Sequence, residues 1–309
     1  MSTALPTISV LVPCYNAERY LADALDSVIA QTLAPLECIV VDDGSTDGSA
    51  AIADSYSHPF RVIRQSNQGR AAAMNTAIAE ARGELVVFLD ADDFWLPEML
   101  EAQAQTIART GAAMAYCPAQ RCDRTGRDLP HRVATALPER CLPQLLHSNQ
   151  LNGCGAAVRT DVIRSAGGFD GRFWPADDYH LWLRIAAEHR IAFQPRALGR
   201  YRMYPEQASA ARVKMALVAL AAKLDFLRNS PRARRQLGAA TIRETVEDPF
   251  FDTVRLWFDG GHQSAARQLS RAYLRHWPLR WRGWQVAFRA HLPWRFYAQA
   301  LPACPGRAI

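Results

Sequence analysis

The run Asp90-Ala91-Asp92-Asp93 closes the apolar stretch Leu85–Asp90 (LVVFLD) and places three carboxylates within four residues. Carboxylates crowded at a strand end repel one another unless a cation or hydrogen-bond donors compensate them. The two-residue period of a strand puts Asp90 and Asp92 on the same side. Hard oxygen ligands of this kind suit Mg²⁺ or Mn²⁺, which bind through one or two carboxylates together with substrate phosphates. The plainer reading is a polar turn leading into a helix that starts near Pro97.

A second constellation is Pro175-Ala176-Asp177-Asp178-Tyr179-His180-Leu181-Trp182. On a helix, Asp178 shares a face with Leu181, Trp182 and Ile185. A carboxylate on an apolar face should have its pKa raised by desolvation, which favours a general base. The helix N-terminus pulls the other way. Alternatively, Asp177 is an ordinary N-cap and Asp178 the first helical residue. Two weaker features complete the set. In Val41-Asp42-Asp43-Gly44-Ser45-Thr46-Asp47, Gly44 permits a tight strand-to-helix turn, Asp42 can accept from a base N–H, and Asp47 can cap. In Asn67-Gln68-Gly69-Arg70, a helix N-terminus and an arginine together attract phosphate.

These residues need a scaffold, and the hydrophobic pattern supplies one. Strands are predicted at Ile8–Pro13, Cys38–Asp42, Phe60–Arg64 and Leu85–Asp90, with helices at 17–31, from Asp47, and at 70–81. Near-continuous apolar strands separated by helices indicate an α/β fold, a mostly parallel sheet covered on both faces. Ligands of such sheets bind at the carboxyl ends of the strands, where Tyr15, Asn16, Asp42–Asp47, Asn67–Arg70 and Asp90–Asp93 fall. A helix after Pro97, strands at 112–117 and 156–159, a helix at 177–189 and two short strands near 191–203 complete a first domain, residues 1–208. From 209 to 309 the pattern is helical only.

The net charge of +6 is unevenly spread. Residues 260–309 hold eight arginines and no Asp or Glu, leaving 28 basic and 30 acidic side chains in the preceding 259. The same tail carries Trp277, Trp281, Trp284 and Phe288 on one helical stripe, flanked by Arg282 and Arg289. Such a stripe fits an interfacial helix on an anionic membrane, or equally a core face packed on the body. No nucleic-acid-binding module accompanies the arginines, so nucleic acid is not an expected partner. Seven scattered cysteines without zinc spacing suggest a reducing compartment. With no secretory leader and no apolar run of about 20 residues, a cytoplasmic protein is expected, peripheral on the cytoplasmic membrane face if the tail binds lipid.

Taken in order, ISVLVPCYNAERYLADALDSVIAQT, VDDGSTDGS, NQGRAAAMNTAI, LVVFLDADDFWLPEML, GGFD, DDYHLWLRIA and YRMYPEQAS resemble glycosyltransferase family 2 across residues 7–209. The resemblance implies the GT-A fold, Rossmann-like, with a mixed and mostly parallel sheet. It implies a nucleotide-binding set of Pro13, Tyr15, Asp42, Asn67, Gly69, Arg70, Asp90 and Ala91, with Tyr15 and Asp42 holding the base, uracil or a related one. Asp90 and Asp92 would be the DxD element, with Asp92 the direct ligand of a divalent metal, Mn²⁺ or Mg²⁺. Asp178 would deprotonate the acceptor hydroxyl, with Trp174, Asp177 and Tyr204 as donor or acceptor contacts. Asp177 stands where the family often has Glu, Met74 where an Arg commonly precedes Asn75, and Tyr204 where a His is frequent. The QxxRW pattern of processive synthases is absent. The implied activity is inverting, non-processive transfer of one sugar from a nucleotide-sugar donor to a glycan or lipid-linked acceptor. The alternative is a catalytically impaired nucleotide-sugar-binding protein acting as a membrane-associated adaptor.

Overall fold

In the computed structural model, residues 4–130, 136–151, 153–207, 212–248, 250, 251, 254, 257, 261 and 263–276 are described. Seven strands form the main sheet: β1 (Ile8–Cys14), β2 (Glu37–Asp42), β3 (Phe60–Arg64), β4 (Leu85–Phe88), β6 (Met114–Tyr116), β8 (Ala157–Arg159) and β9 (Ile191–Phe193). Their spatial order is β3-β2-β1-β4-β8-β6-β9. β3, β2, β1 and β4 run parallel, β8 lies antiparallel between β4 and β6, and β9 is parallel to β6. A small second sheet is ordered β5 (Phe94–Trp95), β10 (Gly199–Arg202), β7 (Ala119–Cys122).

Continuous apolar strands are buried because helices cover both faces. Val10, Val12, Val40 and Val87 face Leu21, Leu25 and Val28 of α1 (Leu21–Ile29), Ala53 of α2 (Ser49–Asp54), and Leu100, Ala104 and Ile107 of α4 (Met99–Thr110). Alternation sends Leu11, Ile39, Val41 and Val86 to the opposite face, where α3 (Arg70–Glu80) packs on β1 and β2. Each such valine or leucine contributes about 1.5–3 kcal/mol on full burial. Phe88 closes this side against Phe169 and Trp182, with ring centroids 5.5 and 5.8 Å away. Trp182 lies on α7 (Asp177–Glu188), so the aromatic cluster fixes that helix beside the end of β4.

Two further helices precede α7, namely α5 (Leu142–His147) and α6 (Thr160–Ser165). After the second sheet come α8 (Arg212–Asn229) and α9 (Pro231–Ile242), and α8 packs on α7. The chain divides into two compact units, Met1–Thr245 and Val246–Ile309, and α8 and α9 fall in the first. In the second, the described part includes the helix α10 (Gln263–His276) and buried Val254 and Ala266. The stripe from Trp277 to Phe288 lies outside the described residues. Among those described, no helix is long and apolar enough to cross a membrane. Cys14, Cys38, Cys117, Cys122, Cys141 and Cys154 are buried thiols.

Candidate active site

A cleft of about 1390 Å³ opens at the carboxyl ends of β1, β2 and β4. Pro13 lines it from the end of β1 and Tyr15 from the β1–α1 connection, and Tyr15 is 51% exposed. Asn16 holds that connection to the next one, accepting from Thr46 N at 2.8 Å while its own N–H donates to Ser45 Oγ. It does so in the left-handed region, at φ 50°, which asparagine tolerates better than most residues.

The β2 end requires a correction. Asp42 does not line the cleft; its Oδ1 folds back to accept from Ser45 N at 3.0 Å. Asp43 lines it instead. Asp42 is the last strand residue, and the reversal of side-chain direction at the next position turns Asp43 toward β3 and α3. The Asp43 carboxylate accepts from Gln65 Nε2, Gln68 N and Gly69 N at 2.7–2.9 Å. This clasp shapes the Asn67–Arg70 segment, all four residues of which line the cleft. Gly44 (φ 77°) lies so close that a Cβ there would sit 2.9 Å from Asn67 N. Asp47 is one residue further from its helix than expected, with α2 starting at Ser49, yet it still accepts from Ser49 N.

The Asp90–Asp93 run also differs from expectation. β4 ends at Phe88, so the aspartates occupy a turn closed by Asp93 N donating to Asp90 O. Asp90, Ala91 and Asp92 line the cleft, whereas Asp93 is buried and accepts from Arg202 N at 2.9 Å. Burial and the neighbouring carboxylates push both Asp92 and Asp93 above the usual carboxylate range. Tyr204 donates its hydroxyl to Asp92 Oδ2 at 2.6 Å.

Arg70, at the start of α3, joins this turn to α7. Its guanidinium contacts Asp90 at 2.8 Å and Asp177 at 3.0 Å, over the Phe169 ring. Asp177 is therefore an ion-pair partner on the first residue of α7, not a plain N-cap. Met74, where the family commonly has Arg, is fully buried, and the cation reaching the cleft from α3 is Arg70. Asn75 fastens α3 to the Gly167–Asp170 loop by two bonds, donating to Phe169 O and accepting from Phe169 N, each at 2.8 Å.

Asp178 faces the same cleft. Burial pushes its carboxyl up to about 7, helped by the charge of Asp177 and opposed by Arg70. A group poised near neutrality is suited to taking a proton. Trp174 and Pro175 line the adjoining wall, and Lys214 Nζ lies 3.8 Å from the Trp174 ring centroid. Met215 of α8 reaches the cleft as well. Motif reading did not single out Asp43, Arg121, Arg124 or Met215. Asp43 could have been found from where β2 ends; the others carry no local signal.

The donor set suits a hard cation. Asp90 and Asp92 line the cleft, and burial, with the charge of Asp90 added, raises the Asp92 carboxyl against the opposing pull of Tyr204 and Arg70. Among the described residues, no three His, Cys, Asp or Glu side chains are grouped so as to hold a metal by themselves. A cation here would share its ligands with a bound substrate, as Mg²⁺ commonly does.

The family model for glycosyl transferase family 2 matches residues 9–164. A Rickettsia typhi protein described as an uncharacterized glycosyltransferase is 28% identical over 215 residues, 67% of either chain. One from Rickettsia bellii is 31% identical over 219 residues, 68% of this chain and 31% of its own. The chain thus spans between about a third and two thirds of the length of such curated relatives. In structure, S. aureus TarS 1-349 in complex with UDP-GlcNAc matches with TM-score 0.60 and 19% identity, covering 86% of this chain and 81% of its own. The mannosyltransferase PcManGT from Pyrobaculum calidifontis, in complex with GDP-Man and Mn2+, matches with TM-score 0.54 and 21% identity, covering 93% and 85%. The architecture is the GT-A fold, and with the family match spanning half its length the chain belongs to glycosyl transferase family 2.

Proposed function

We propose that this chain is an inverting, non-processive glycosyltransferase. It moves one sugar from a nucleotide-diphosphate donor of the UDP class to an acceptor hydroxyl, in the assembly of a surface glycan or its lipid-linked precursor. The carrying observation is the placement of Asp178, with its carboxyl near 7, in one cleft with the Asp90–Asp92 turn. Solved neighbours bound to UDP-GlcNAc and to GDP-Man with Mn2+ support a nucleotide-sugar donor.

Tyr15, Asp43 and Asn67 line the end of the cleft that suits the base, and Arg70 and the start of α3 suit the diphosphate. Asp92, with Asp90 beside it, would hold Mn²⁺ or Mg²⁺ together with the donor diphosphate. Such an ion supplies neutralisation of charge on the leaving group. Asp178 takes the acceptor hydroxyl proton while that oxygen bonds to the anomeric carbon. The bond from that carbon to the diphosphate oxygen breaks, its electron pair leaves with the nucleoside diphosphate, and the configuration inverts. Trp174 and Asp177 bound the space where the two sugars meet. The Arg- and Trp-rich tail is read as an attachment to an anionic membrane surface.

The test is turnover of a nucleotide-sugar panel with and without acceptor, following nucleoside diphosphate release and the anomeric configuration of the product by NMR. Loss of transfer in D178N by about 10²–10⁴-fold, with donor binding retained, is the expected result. A product of retained configuration overturns the inverting mechanism.

A further inference from the structure

Arg202 closes β10, contributes nothing to the lining of the cleft, and is only 3% exposed. A buried guanidinium is costly unless its charge and its donors are met. Here they are met by a specific set of neighbours. One amino group donates to the main-chain carbonyl of Asp92 at 3.0 Å, and the other pairs with the Asp23 carboxylate on α1. The planar faces lie against the Tyr20 and Phe94 rings, 4.8 and 4.9 Å from the centroids. The backbone N–H of Arg202 donates to Asp93 Oδ1 at 2.9 Å. Nε makes no hydrogen bond among the described residues, consistent with its place between two rings.

The direction of these contacts is informative. Two groups of Arg202 grip consecutive residues of the aspartate turn from the side away from the cleft. Two positions on, Tyr204 grips the Asp92 carboxylate itself, and its ring rests 5.7 Å from that of Tyr20. Residues 202–204 thus hold Asp92 at its carbonyl and its carboxylate, and Asp93 at its side chain. The turn carries three carboxylates whose mutual repulsion would otherwise drive it open. Asp23, exposed on α1, anchors the whole assembly to an element remote in sequence.

We infer that Arg202 is a positioning residue: by bonding the Asp92 carbonyl from behind with a guanidinium anchored on Asp23, it sets the aim of the Asp92 carboxylate into the cleft. The inference rests on the reading of Asp92 as the cation and diphosphate site. A lysine cannot reproduce it, since the fork of donors and the flat stacking faces belong to guanidinium alone.

The experiment measures UDP and GDP binding by calorimetry, with and without Mn²⁺, for the wild type, R202K, R202M and D23N. Thermal unfolding is followed in parallel. For R202M we expect Mn²⁺-dependent nucleotide affinity to fall about 10–100-fold, the range for outer partners of metal ligands. Metal-independent nucleotide binding should stay at the wild-type level. R202K should rescue little, and D23N should shift the same quantity by a smaller factor while keeping the fold. A purely structural role would lower the melting temperature and leave the Mn²⁺ dependence of folded molecules unchanged. That outcome in R202K and D23N overturns the inference, even if R202M does not fold. If the wild type itself binds neither nucleotide more tightly with Mn²⁺, the donor-site reading fails first and this inference goes with it.

Discussion

Tyr204 donates its phenolic hydrogen to Asp92 Oδ2 at 2.6 Å, across 112 residues of sequence. The bond holds a carboxylate whose charge is already disfavoured by burial and by Asp90. Removing the hydroxyl alone, in Y204F, leaves the ring packed against Tyr20 but frees Asp92 to turn. The half-saturating Mn²⁺ concentration for turnover should rise about tenfold, by analogy with outer-shell losses at metal sites. Y204H, which restores a hydrogen-bonding group at that place, should recover part of the loss. An unchanged metal titration in Y204F removes Tyr204 from the site.

Asp178 predicts a pH profile. With its carboxyl near 7, log(kcat/KM) should rise with unit slope below about pH 7 and level off above it. The same shift has a stability counterpart. The folded pKa lies above the ordinary 3.8, so the folded state holds the extra proton between about pH 4 and 7. Stability from this group is therefore lost as pH rises through that window. D178N should match the wild type in melting temperature near pH 4 and exceed it at pH 8. An equal difference at both pH values contradicts the assignment.

Arg70 opposes that shift. Replacing it with methionine leaves Asp90, Asp177 and Asp178 without their shared cation. The acid limb of the pH profile should move upward in R70M. Stability should fall by up to about 3 kcal/mol, less than for a fully buried pair because Arg70 is partly exposed. R70K, keeping the charge, should retain most of the pH behaviour. Chemical denaturation and rate–pH curves for the two variants check this.

Asn75 offers a test remote from the reacting groups. N75A strips Phe169 of both main-chain partners, which should cost about 1–3 kcal/mol. The Phe169 ring underlies Arg70, so donor affinity should also weaken. Full stability in N75A would show that the loop is held elsewhere.

Much of the fold is legible from periodicity, because strands buried on both faces leave continuous apolar runs. β3 occupies the expected residues Phe60–Arg64, and α3 and α7 begin at the expected Arg70 and Asp177. The lining of the cleft is legible where a polar run adjoins such an element, as at Asp92 beyond β4 and Asp178 at the start of α7. At the end of β2 the expected boundary holds, and carrying the alternation one residue past Asp42 is what turns Asp43 toward the cleft. Local pattern cannot reveal pairs such as Arg202 with Asp23, separated by 179 residues, or Arg70 with Asp177, separated by 107. Those contacts exist only once the sheet has brought loops together.

The antiparallel course of β8 in the main sheet has a consequence for how such a catalyst can diversify. Because β8 runs against β4, the segment entering β8, including Leu151 and Gly153, arrives at the edge where Asp90 and Asp92 emerge. One wall of the cleft is thus built by the connection between β7 and β8, which joins the β3-β2-β1-β4 half where Gly155 N donates to Phe88 O at the end of β4. Lengthening or exchanging that connection alters one wall while the loops on β1, β2 and β3 keep their mutual hydrogen bonds. Reversal of one short strand thus lets a connection from outside the β1–β4 loops supply a wall of the cleft.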